Sequence, residues 1–361
     1  IYVLNRHEIL RTVFRLNAEK EPQQQILSVQ ELNFNLDYED YSEAADSLSK
    51  VNEYIKEKAN VPLDLENGPL LRAALLKYDN NSYYFSCILH HIICDAWSIP
   101  ILKSEILTAY KALQTNKVPA LEELRIQYKD YTLWNLDNLE GASFLKQKDY
   151  WLAKLSTETP VLELPITGTR PPVKTYNGQT LKTYFNTDIS NAVSIYQKNQ
   201  EGSLYMVMLS TLHVMLAKYT GNNDTIIGSP FAAREHIDLH NQIGFYTNTL
   251  AIRNKVEQSD SFDTFFTAVK QSILEAHNNQ QYPFEEVVKA LNLKKDASRN
   301  PLFDVMLVVL PKEGAKNEEQ FDNEAFSEAI TVEKYTTSKF DLLVYVEETE
   351  NDLLSLKVEY N

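Results

Sequence analysis

The sequence predicts an α/β fold with mixed sheets, arranged in two lobes. Helical and strand-like patterns alternate along the whole chain, without repeats of solenoid length. A segment rich in proline and glycine, 165–178, divides the chain, and the same alternation resumes after it. The chain has 361 residues, which is long for one hydrophobic core and enough for two. We therefore expect an N-terminal lobe over 1–164, a linker over 165–178 and a C-terminal lobe over 179–361.

Three helices and a hairpin are predicted in the first lobe. VLNRHEILRTVF (3–14) and SIPILKSEILTAYKALQ (98–114) have apolar residues at helical spacing, and SLSKVNEYIKEKANVPLDL (47–65) indicates an amphipathic helix followed by a turn. PLLRAALLKYD (69–79) and SYYFSCILHHII (82–93) are typical of neighbouring strands, with a turn at the Asp-Asn-Asn-Ser cluster between them.

The second lobe shows the same patterns. Helices are predicted over 203–221, where Gly221 suits the position after a helix end, over 261–279, and over 282–293, with Pro283 in the first turn. The remaining predicted elements are strands at 225–230, 244–256 and 301–310, a polar loop at 312–329, and a hairpin at 339–360.

Composition argues against several classes of protein. The chain has 35 basic and 50 acidic residues, a net charge of −15 and a pI near 5.0. Nucleic-acid-binding surfaces carry a basic excess, so no nucleic-acid partner is expected. The sequence contains no apolar run of roughly 18 residues and no signal segment, so no membrane partner is expected. Neither GxGxxG nor GxxxxGK[ST] occurs, and nothing suggests nucleotide binding.

The two cysteines, Cys87 and Cys94, form neither a CxxC motif nor a disulfide framework. This use of cysteine is typical of a reducing compartment, and we expect a cytoplasmic protein. A nucleophilic cysteine needs exposure and a lowered pKa. Only histidine lies near Cys94 as a potential cation, so the sequence favours a buried, inert thiol over a catalytic one.

The segment LHHIICDAWS (89–98) concentrates reactive side chains. On a strand, His90 and His91 point to opposite faces, which makes them poor ligands for one ion. His236 and His240 have i, i+4 spacing, but no glutamate follows His236, so no metal site is expected.

A solitary base is the remaining chemical interpretation of this segment. A strand ending at His91 would present that imidazole beyond the sheet edge, and His90 would support the strand from its other face. Asp95 would either contact His91 directly or lock the loop through a salt bridge. From this segment alone, a catalytic base and a structural histidine explain the residues equally well.

Seven segments, in order, resemble the condensation domains of nonribosomal peptide synthetases. LHHIICDAWS resembles the family's HHxxxDG motif, RHEILRTVF its RHExLRTxF, and RNPLFDVMLVV its RNPLFxVMF. The other four segments are YKDYTLW (128–134), GSPFAAREHIDLHNQIGFYTNTLAIR (228–253), NNQQYPFEEVVKAL (278–291) and SKFDLLVYVEE (338–348). The family's first motif and last helix are absent, so we expect the chain to be truncated at both ends relative to the family.

The resemblance implies a fold, a reaction and partners. The fold would be two chloramphenicol-acetyltransferase-like lobes forming a V-shaped pseudodimer with a tunnel between them. Upstream and downstream peptidyl carrier proteins would bring an acyl or peptidyl thioester and an aminoacyl thioester on phosphopantetheine arms. The amine would attack the upstream thioester to form an amide. The domain would bind no cofactor or metal of its own, and adjacent domains such as adenylation would be partners.

The resemblance also assigns roles to residues. His91 would take a proton from the amine or position it, His90 would support it, and Asp95 would anchor the loop by pairing with an arginine. Arg234 is the preferred partner, with Arg6 and Arg11 as other candidates. The candidates for contact with substrate or tunnel are Ala96, Trp97, Ser98, Tyr246, Asn248 and Asn300, the last of which could instead cap a strand.

Departures from the family pattern keep alternatives open. Ala96 stands where the family has glycine, so the shape of the loop is in question. Epimerisation domains share the histidine pair, but DAWSIPIL and IGFYTNTL are closer to condensation domains. Heterocyclisation would require DxxxxD, and RHEILRT and NNQQYPFEE argue against a free-standing CoA-dependent acyltransferase. A non-catalytic docking module of the same fold remains the alternative from another class.

Overall fold

The described residues form two compact units. The structure, a computed structural model, describes residues 1–156, 159–165, 168–310, 337–349 and 351–361. Unit 1 comprises Ile1–Leu139 and Ala232–Thr247, and unit 2 comprises Glu140–Phe231 and Asn248–Asn361. These units do not coincide with the predicted lobes 1–164 and 179–361, because residues after Leu139 pack in unit 2 and a short later segment returns to unit 1.

Unit 1 combines five helices, among its described residues, with a two-stranded sheet and a three-stranded mixed sheet. Strands β1 and β2 pair antiparallel, β3 pairs parallel with β4, and β4 pairs antiparallel with β5. The elements are α1 (Tyr2–Arg6), β1 (Thr12–Leu16), β2 (Pro22–Ile26), α2 (Val29–Leu32), β3 (Leu36–Asp40), α3 (Ser47–Asn60), β4 (Leu71–Asp79), β5 (Ser82–Leu89), α4 (Ser98–Gln114) and α5 (Tyr128–Asn138), with 3-10 turns at Glu8–Arg11, His91–Ile93 and Ile237–Leu239.

Unit 2 is built on a larger mixed sheet. Within the described residues its strand order is β6-β11-β10-β9-β7-β8, with β9 parallel to β10 and to β7 and the other pairs antiparallel. The elements are α6 (Ala142–Leu155), β6 (Gln179–Tyr184), α7 (Thr187–Asn199), α8 (Leu204–Thr220), β7 (Asp224–Phe231), β8 (Asn248–Lys255), α9 (Phe262–Asn278), α10 (Phe284–Leu291), β9 (Val305–Leu310), β10 (Leu342–Glu348) and β11 (Leu354–Tyr360). The predicted mixed α/β class is confirmed.

Most predicted elements are present, and local signals explain where they begin and end. Asp46 caps α3 by accepting the Ser49 N–H, and Ser203 caps α8 by accepting the Met206 N–H. Gly221 follows α8 with φ 72°, a left-handed conformation that glycine adopts without strain. The predicted loop 312–329 lies outside the described residues. None of the described helices is long and apolar enough to cross a membrane.

The predicted helix over 3–14 is wrong in its second half. Helix α1 ends at Arg6, and His7 has an extended backbone with φ −106° and ψ 106°. A 3-10 turn follows, and β1 then begins at the β-branched pair Thr12 and Val13, which suit a strand. The completely buried His7 bonds Glu105, and this distant contact is absent from any local pattern.

One hydrophobic core joins several elements of unit 1. Val3 and Leu4 of α1, Leu102 of α4, and Ile93 in the turn after β5 belong to the same buried cluster. Ile243, from the segment that returns to unit 1, is also part of it and is fully buried. The turn that carries the histidine pair therefore rests on the packing of α1 and α4.

A buried histidine in unit 2 makes its stability depend on pH. His213 of α8 is fully buried, with its Nδ1 2.6 Å from Thr225 Oγ1 and its Nε2 3.1 Å from Asn254 Nδ2. Burial lowers its pKa to about 3, only partly opposed by Asp224. Below the ordinary histidine pKa of about 6.5, the unfolded chain therefore binds a proton that the native protein does not.

We predict that stability falls as the pH falls from about 6.5 towards 3, by about 1.4 kcal/mol per unit from this group. The substitution His213→Gln should remove about 2 kcal/mol of the stability difference between pH 6.5 and pH 5. Urea unfolding at both pH values measures this difference. The exposed His236→Gln control should leave it unchanged, and an equal pH dependence in His213→Gln and the wild type would contradict the prediction.

Candidate active site

The histidine pair lies in the turn after β5 rather than in the strand. Strand β5 ends at Leu89, two residues before His91 and four before the end of the predicted strand 82–93. His90 caps the following 3-10 turn: its N–H donates to the Leu70 carbonyl (2.9 Å) and its Nδ1 accepts the Ile92 N–H (3.1 Å). His90 is thus a half-buried cap, which corrects the expectation of a core histidine on the opposite strand face.

His91 is exposed and orientated by an aromatic ring. Its imidazole lies edge-on to Phe245, with ring centroids 5.2 Å apart and an interplanar angle of 82°. The Tyr128 hydroxyl donates to the Phe245 carbonyl at 2.8 Å and so fixes that residue. The arrangement leaves the imidazole exposed to solvent while the Phe245 ring restricts its position.

Asp95 is buried and its carboxylate is fully engaged. Its Oδ1 accepts hydrogen bonds from the Ser98 N–H (2.9 Å), the Ser98 hydroxyl (2.7 Å) and Arg234 Nη2 (2.9 Å). Its Oδ2 accepts the Tyr246 N–H at 3.1 Å. Within the described residues, His91 is not among the hydrogen-bond partners of Asp95, so the geometry gives a loop anchor rather than a partner for the imidazole.

Arg234 completes a buried ion pair with Asp95. The side chains are 1% and 0% exposed, and Arg234 Nη1 also donates to the carbonyls of Leu239 and Gln242, each at 2.6 Å. Its guanidinium lies 4.1 Å from the centroid of the Tyr246 ring. Burial lowers the pKa of Arg234, and the charge and hydrogen bond of the Asp95 carboxylate oppose this change.

The structure distinguishes the three arginine candidates. Arg234 contacts Asp95, whereas Arg6 Nε donates to Glu105 Oε1 at 2.9 Å. Arg11 donates to the Leu27 carbonyl at 2.6 Å and lies 3.7 Å from Glu8. Arg6 and Arg11 therefore bind other partners, and the expectation that either one anchors Asp95 is wrong.

Two suggested substrate contacts are buried parts of the same network. The Ser98 side chain is fully buried; its hydroxyl contacts Asp95 Oδ1, the Gly244 carbonyl (2.9 Å) and Arg234 Nη2 (3.1 Å). Tyr246 is 2% exposed, and its ring packs on Arg234. Because neither side chain is accessible, we correct the expectation that Ser98 and Tyr246 contact substrate.

Ala96 and Trp97 retain access to solvent. Ala96 is exposed and lies outside the positive-φ region, so the loop does not require glycine's conformational freedom at this position. Trp97 is half-buried, and its Nε1–H donates to the His240 carbonyl at 3.0 Å. The replacement of the family glycine is therefore compatible with the observed backbone.

The two asparagine candidates, Asn248 and Asn300, lie in unit 2, and their side chains donate hydrogen bonds to backbone carbonyls. Asn248 Nδ2 donates to the carbonyls of Gln280 (2.7 Å) and Tyr282 (2.9 Å), which fixes the segment before α10. Asn300 Nδ2 donates to the Lys339 carbonyl at 3.1 Å, and its N–H donates to Asp304 at 3.1 Å. These contacts are structural, and contact of either residue with substrate stays a prediction.

The candidate for a nucleophilic thiol is Cys94, and the candidates for a metal site are His236 and His240. Burial raises the pKa of Cys94 to about 11, with a smaller contribution from Asp95, so the thiol is protonated at neutral pH. His236 is exposed, whereas His240 bonds the Arg234 carbonyl. In the part of the chain that the structure describes, no group of three or more histidine, cysteine, aspartate or glutamate side chains could hold a metal ion.

Sequence reasoning missed two contributors to the site, the backbone of Gly244 and the ring of Phe245. The Gly244 carbonyl accepts the Asp95 N–H at 3.1 Å, and a Cβ on Gly244 would lie 2.4 Å from Tyr128 Cδ2. Phe245 orientates His91. Both lie in the segment IGFYTNTL, which the resemblance covers, but only the folded contacts show which of its residues reach the histidine.

Comparison with known proteins identifies the family. The sequence model described as "Condensation domain" matches residues 2–361. The chain belongs to the condensation-domain family. It is 37% identical to gramicidin S synthase 2 of Brevibacillus brevis and 35% identical to bacitracin synthase 1 of Bacillus licheniformis, each over 99% of this chain. It spans only 8% and 6% of the lengths of those proteins. The resemblance to condensation domains of nonribosomal peptide synthetases is confirmed.

Solved structures establish the condensation-domain fold. The X-domain in complex with OxyB from teicoplanin biosynthesis has a TM-score of 0.82 at 22% identity, covering 99% of this chain and 78% of that one. A four-domain nonribosomal peptide synthetase bound to AMP and glycine has a TM-score of 0.80 at 20% identity, covering 100% and 27%. The starter condensation domain of rhizomide synthetase, as a mutant with C8-CoA and Leu-SNAC, gives 0.77 at 18%, covering 100% and 78%. The chloramphenicol-acetyltransferase-like fold is thereby confirmed.

We predict that Asp95→Asn destabilises the condensation domain by about 3–5 kcal/mol, because Arg234 would be left buried without its counter-charge. Urea unfolding measures the change, with the exposed Glu53→Gln on α3 as the control. A variant that stays as stable as the wild type but loses activity would contradict this and indicate a direct chemical role for Asp95.

We predict that Cys94 reacts slowly with iodoacetamide in the native domain. Its pKa, raised from 9.0 to about 11, lowers the thiolate fraction at pH 7.5 about 100-fold relative to an unperturbed thiol. Alkylation of the Cys87→Ser variant at pH 7.5, followed by mass spectrometry, isolates this thiol. Guanidinium-unfolded protein serves as the control, and native labelling as fast as in that sample would contradict the prediction.

Proposed function

We propose that this condensation domain joins an acyl or peptidyl group, held as a thioester on an upstream carrier protein, to the amine of an aminoacyl thioester on a downstream carrier. The observation that carries the proposal is the exposed His91, four residues before the buried Asp95 that anchors its loop to Arg234, in a chain of this family. Epimerisation and docking without catalysis are the outcomes against which it is tested.

The chemistry requires an acceptor for one proton. The amine nitrogen attacks the thioester carbonyl carbon, a C–N bond forms, and the C–S bond breaks to release the upstream arm as a thiol. The nitrogen must lose a proton on the way, and an imidazole titrates in the range where it can take and return one. His91 is the exposed imidazole in the motif, and it would accept that proton or hold the amine by a hydrogen bond.

The surroundings of His91 favour positioning as a large part of its role. A histidine paired with a carboxylate would be a stronger base, but the Asp95 carboxylate is bonded to Ser98, Arg234 and Tyr246. The Phe245 ring instead sets the orientation of the imidazole. Two tethered reactants gain much of their rate from being held together, so a fixed hydrogen-bonding group suits the reaction.

The substrates would arrive on phosphopantetheine arms, and the domain itself would need no cofactor. The support is that this chain spans 8% and 6% of the synthases it resembles, which leaves ample length for carrier and adenylation domains in proteins of that kind. The proposed place of action is the cytoplasm, for which the two free cysteines are the support.

We predict that His91→Ala slows single-turnover amide formation between donor-loaded and acceptor-loaded carriers by about 10²–10⁴-fold, because the proton acceptor is removed. His91→Val, which keeps a branched side chain, should slow it similarly. The matched control is the exposed His236→Ala in the same unit, which should react like the wild type. Mass spectrometry of the downstream carrier measures the product.

Equal rates for wild type and both His91 variants would refute the assignment of His91. Exchange of the α-deuterium of a loaded peptidyl carrier, without amide formation, would favour epimerisation. No reaction by the wild type, together with intact binding of a neighbouring protein, would favour a docking module.

A further inference from the structure

A second buried cluster of charged side chains lies in unit 1, away from the Asp95 loop. Glu105 of α4 is 6% exposed, and its carboxylate joins two residues of the RHEILRTVF segment. Glu105 Oε1 accepts from Arg6 Nε at 2.9 Å, and Glu105 Oε2 lies 2.7 Å from His7 Nε2. His7 is completely buried. The proposed reaction gives these three residues no role.

The cluster is charged and geometrically demanding. Burial by itself raises the pKa of Glu105, but its hydrogen bonds and electrostatic interactions with His7 and Arg6 outweigh this effect and bring the pKa below the ordinary value. A buried carboxylate is tolerated only while its partners stay in place. Gln127 steadies the same backbone, since its Nε2 donates to the Arg6 carbonyl at 3.0 Å and its Oε1 accepts the Glu8 N–H at 3.1 Å.

Helix α4 connects this cluster to the loop of His91. Its buried residues are Ser98, Leu102, Glu105 and Ala109, whose spacing of four, three and four places them on one face. Ser98 belongs to the Asp95–Arg234 network, about 10 Å along the helix from Glu105. Leu102, between them, packs in the core cluster that contains Ile93, the last residue of the His91 turn.

We propose that Glu105 is a positioning residue for His91. Held by Arg6 and His7, it fixes the rotation and the axial position of α4, and α4 in turn holds Ser98, Asp95 and the turn that presents the imidazole. The expected effect on the rate of amide formation rests on the proposed function. A displacement of about 1 Å in a reacting group costs about 100-fold in rate, so a loosened helix has a measurable effect.

The kinetic test uses single-turnover amide formation by the intact polypeptide with loaded carriers. Glu105→Ala should lower the rate constant at saturating acceptor about tenfold or more. Glu105→Gln should lower it less, because an amide oxygen still accepts from Arg6 Nε. The concentration of acceptor carrier giving half the maximal rate should change by less than about twofold. Reaction amplitude gives the folded fraction, so a loss of stability alone lowers the amplitude and leaves the rate constant unchanged.

The matched controls are Glu53→Ala and Glu53→Gln on α3, where an exposed glutamate pairs with Lys50. Both should keep the wild-type rate constant. Rate constants within twofold of the wild type for Glu105→Ala, at any amplitude, would overturn the inference. If Glu105→Ala does not fold, Glu105→Gln takes its place. A Glu105→Gln rate constant within twofold of the wild type, together with an unmoved His91 imidazole signal, would then overturn the inference.

A double variant tests the route through α4. If Glu105 acts through Ser98 and the Asp95 loop, the combination Glu105→Gln with Ser98→Ala should cost less than the product of the two single effects. A fully multiplicative loss would show that the two residues act independently and would overturn the proposed route.

A spectroscopic test separates this inference from the proposed function. The imidazole Cε1–H signal of His91, assigned by its loss in His91→Ala, should shift in Glu105→Gln and stay in place in Glu53→Gln. An unmoved signal in Glu105→Gln would overturn the positioning role. If the wild type forms no amide, the proposed function fails, and the signal still decides whether Glu105 positions His91.

Discussion

The buried ion pair between Asp95 and Arg234 is the interaction on which the rest of the site depends. The two residues are 139 positions apart in sequence, and both side chains are almost fully excluded from solvent. Neither charge is tolerated in that environment without the other, so the loop after β5 and the segment 232–247 are held together. This constraint explains why that segment belongs to unit 1 although β7 and β8, which flank it, belong to unit 2.

The same pair determines what the site can do chemically. An aspartate four residues after His91 suggests a carboxylate that polarises the imidazole, but the ion pair uses that carboxylate for structure. His91 is left exposed, with Phe245 as its orientating neighbour. An exposed, orientated imidazole of this kind suits the proposed reaction, whose rate would come from placement of the reactants and one proton transfer.

Local sequence signals predicted the elements whose ends are determined locally. Helix α8 begins at a serine cap and ends at Gly221, and the hairpin of β4 and β5 turns at a polar cluster. The predictions were wrong where contacts with residues distant in sequence determine the backbone conformation. Helix α1 stops because His7 is bonded to Glu105, 98 positions away, and β5 stops because His90 caps the next turn.

The sequence by itself determined the α/β class, the order of most elements and the family, and it singled out His91 and Asp95 as candidate site residues. Only the tertiary structure decided that Arg234, rather than Arg6 or Arg11, pairs with Asp95. It also decided that the Ser98 side chain is buried and hydrogen-bonded to Asp95 rather than exposed at the surface. The reason is physical: periodicity and capping act over a few residues, whereas a buried charge takes the partner that the packed core brings within hydrogen-bond distance.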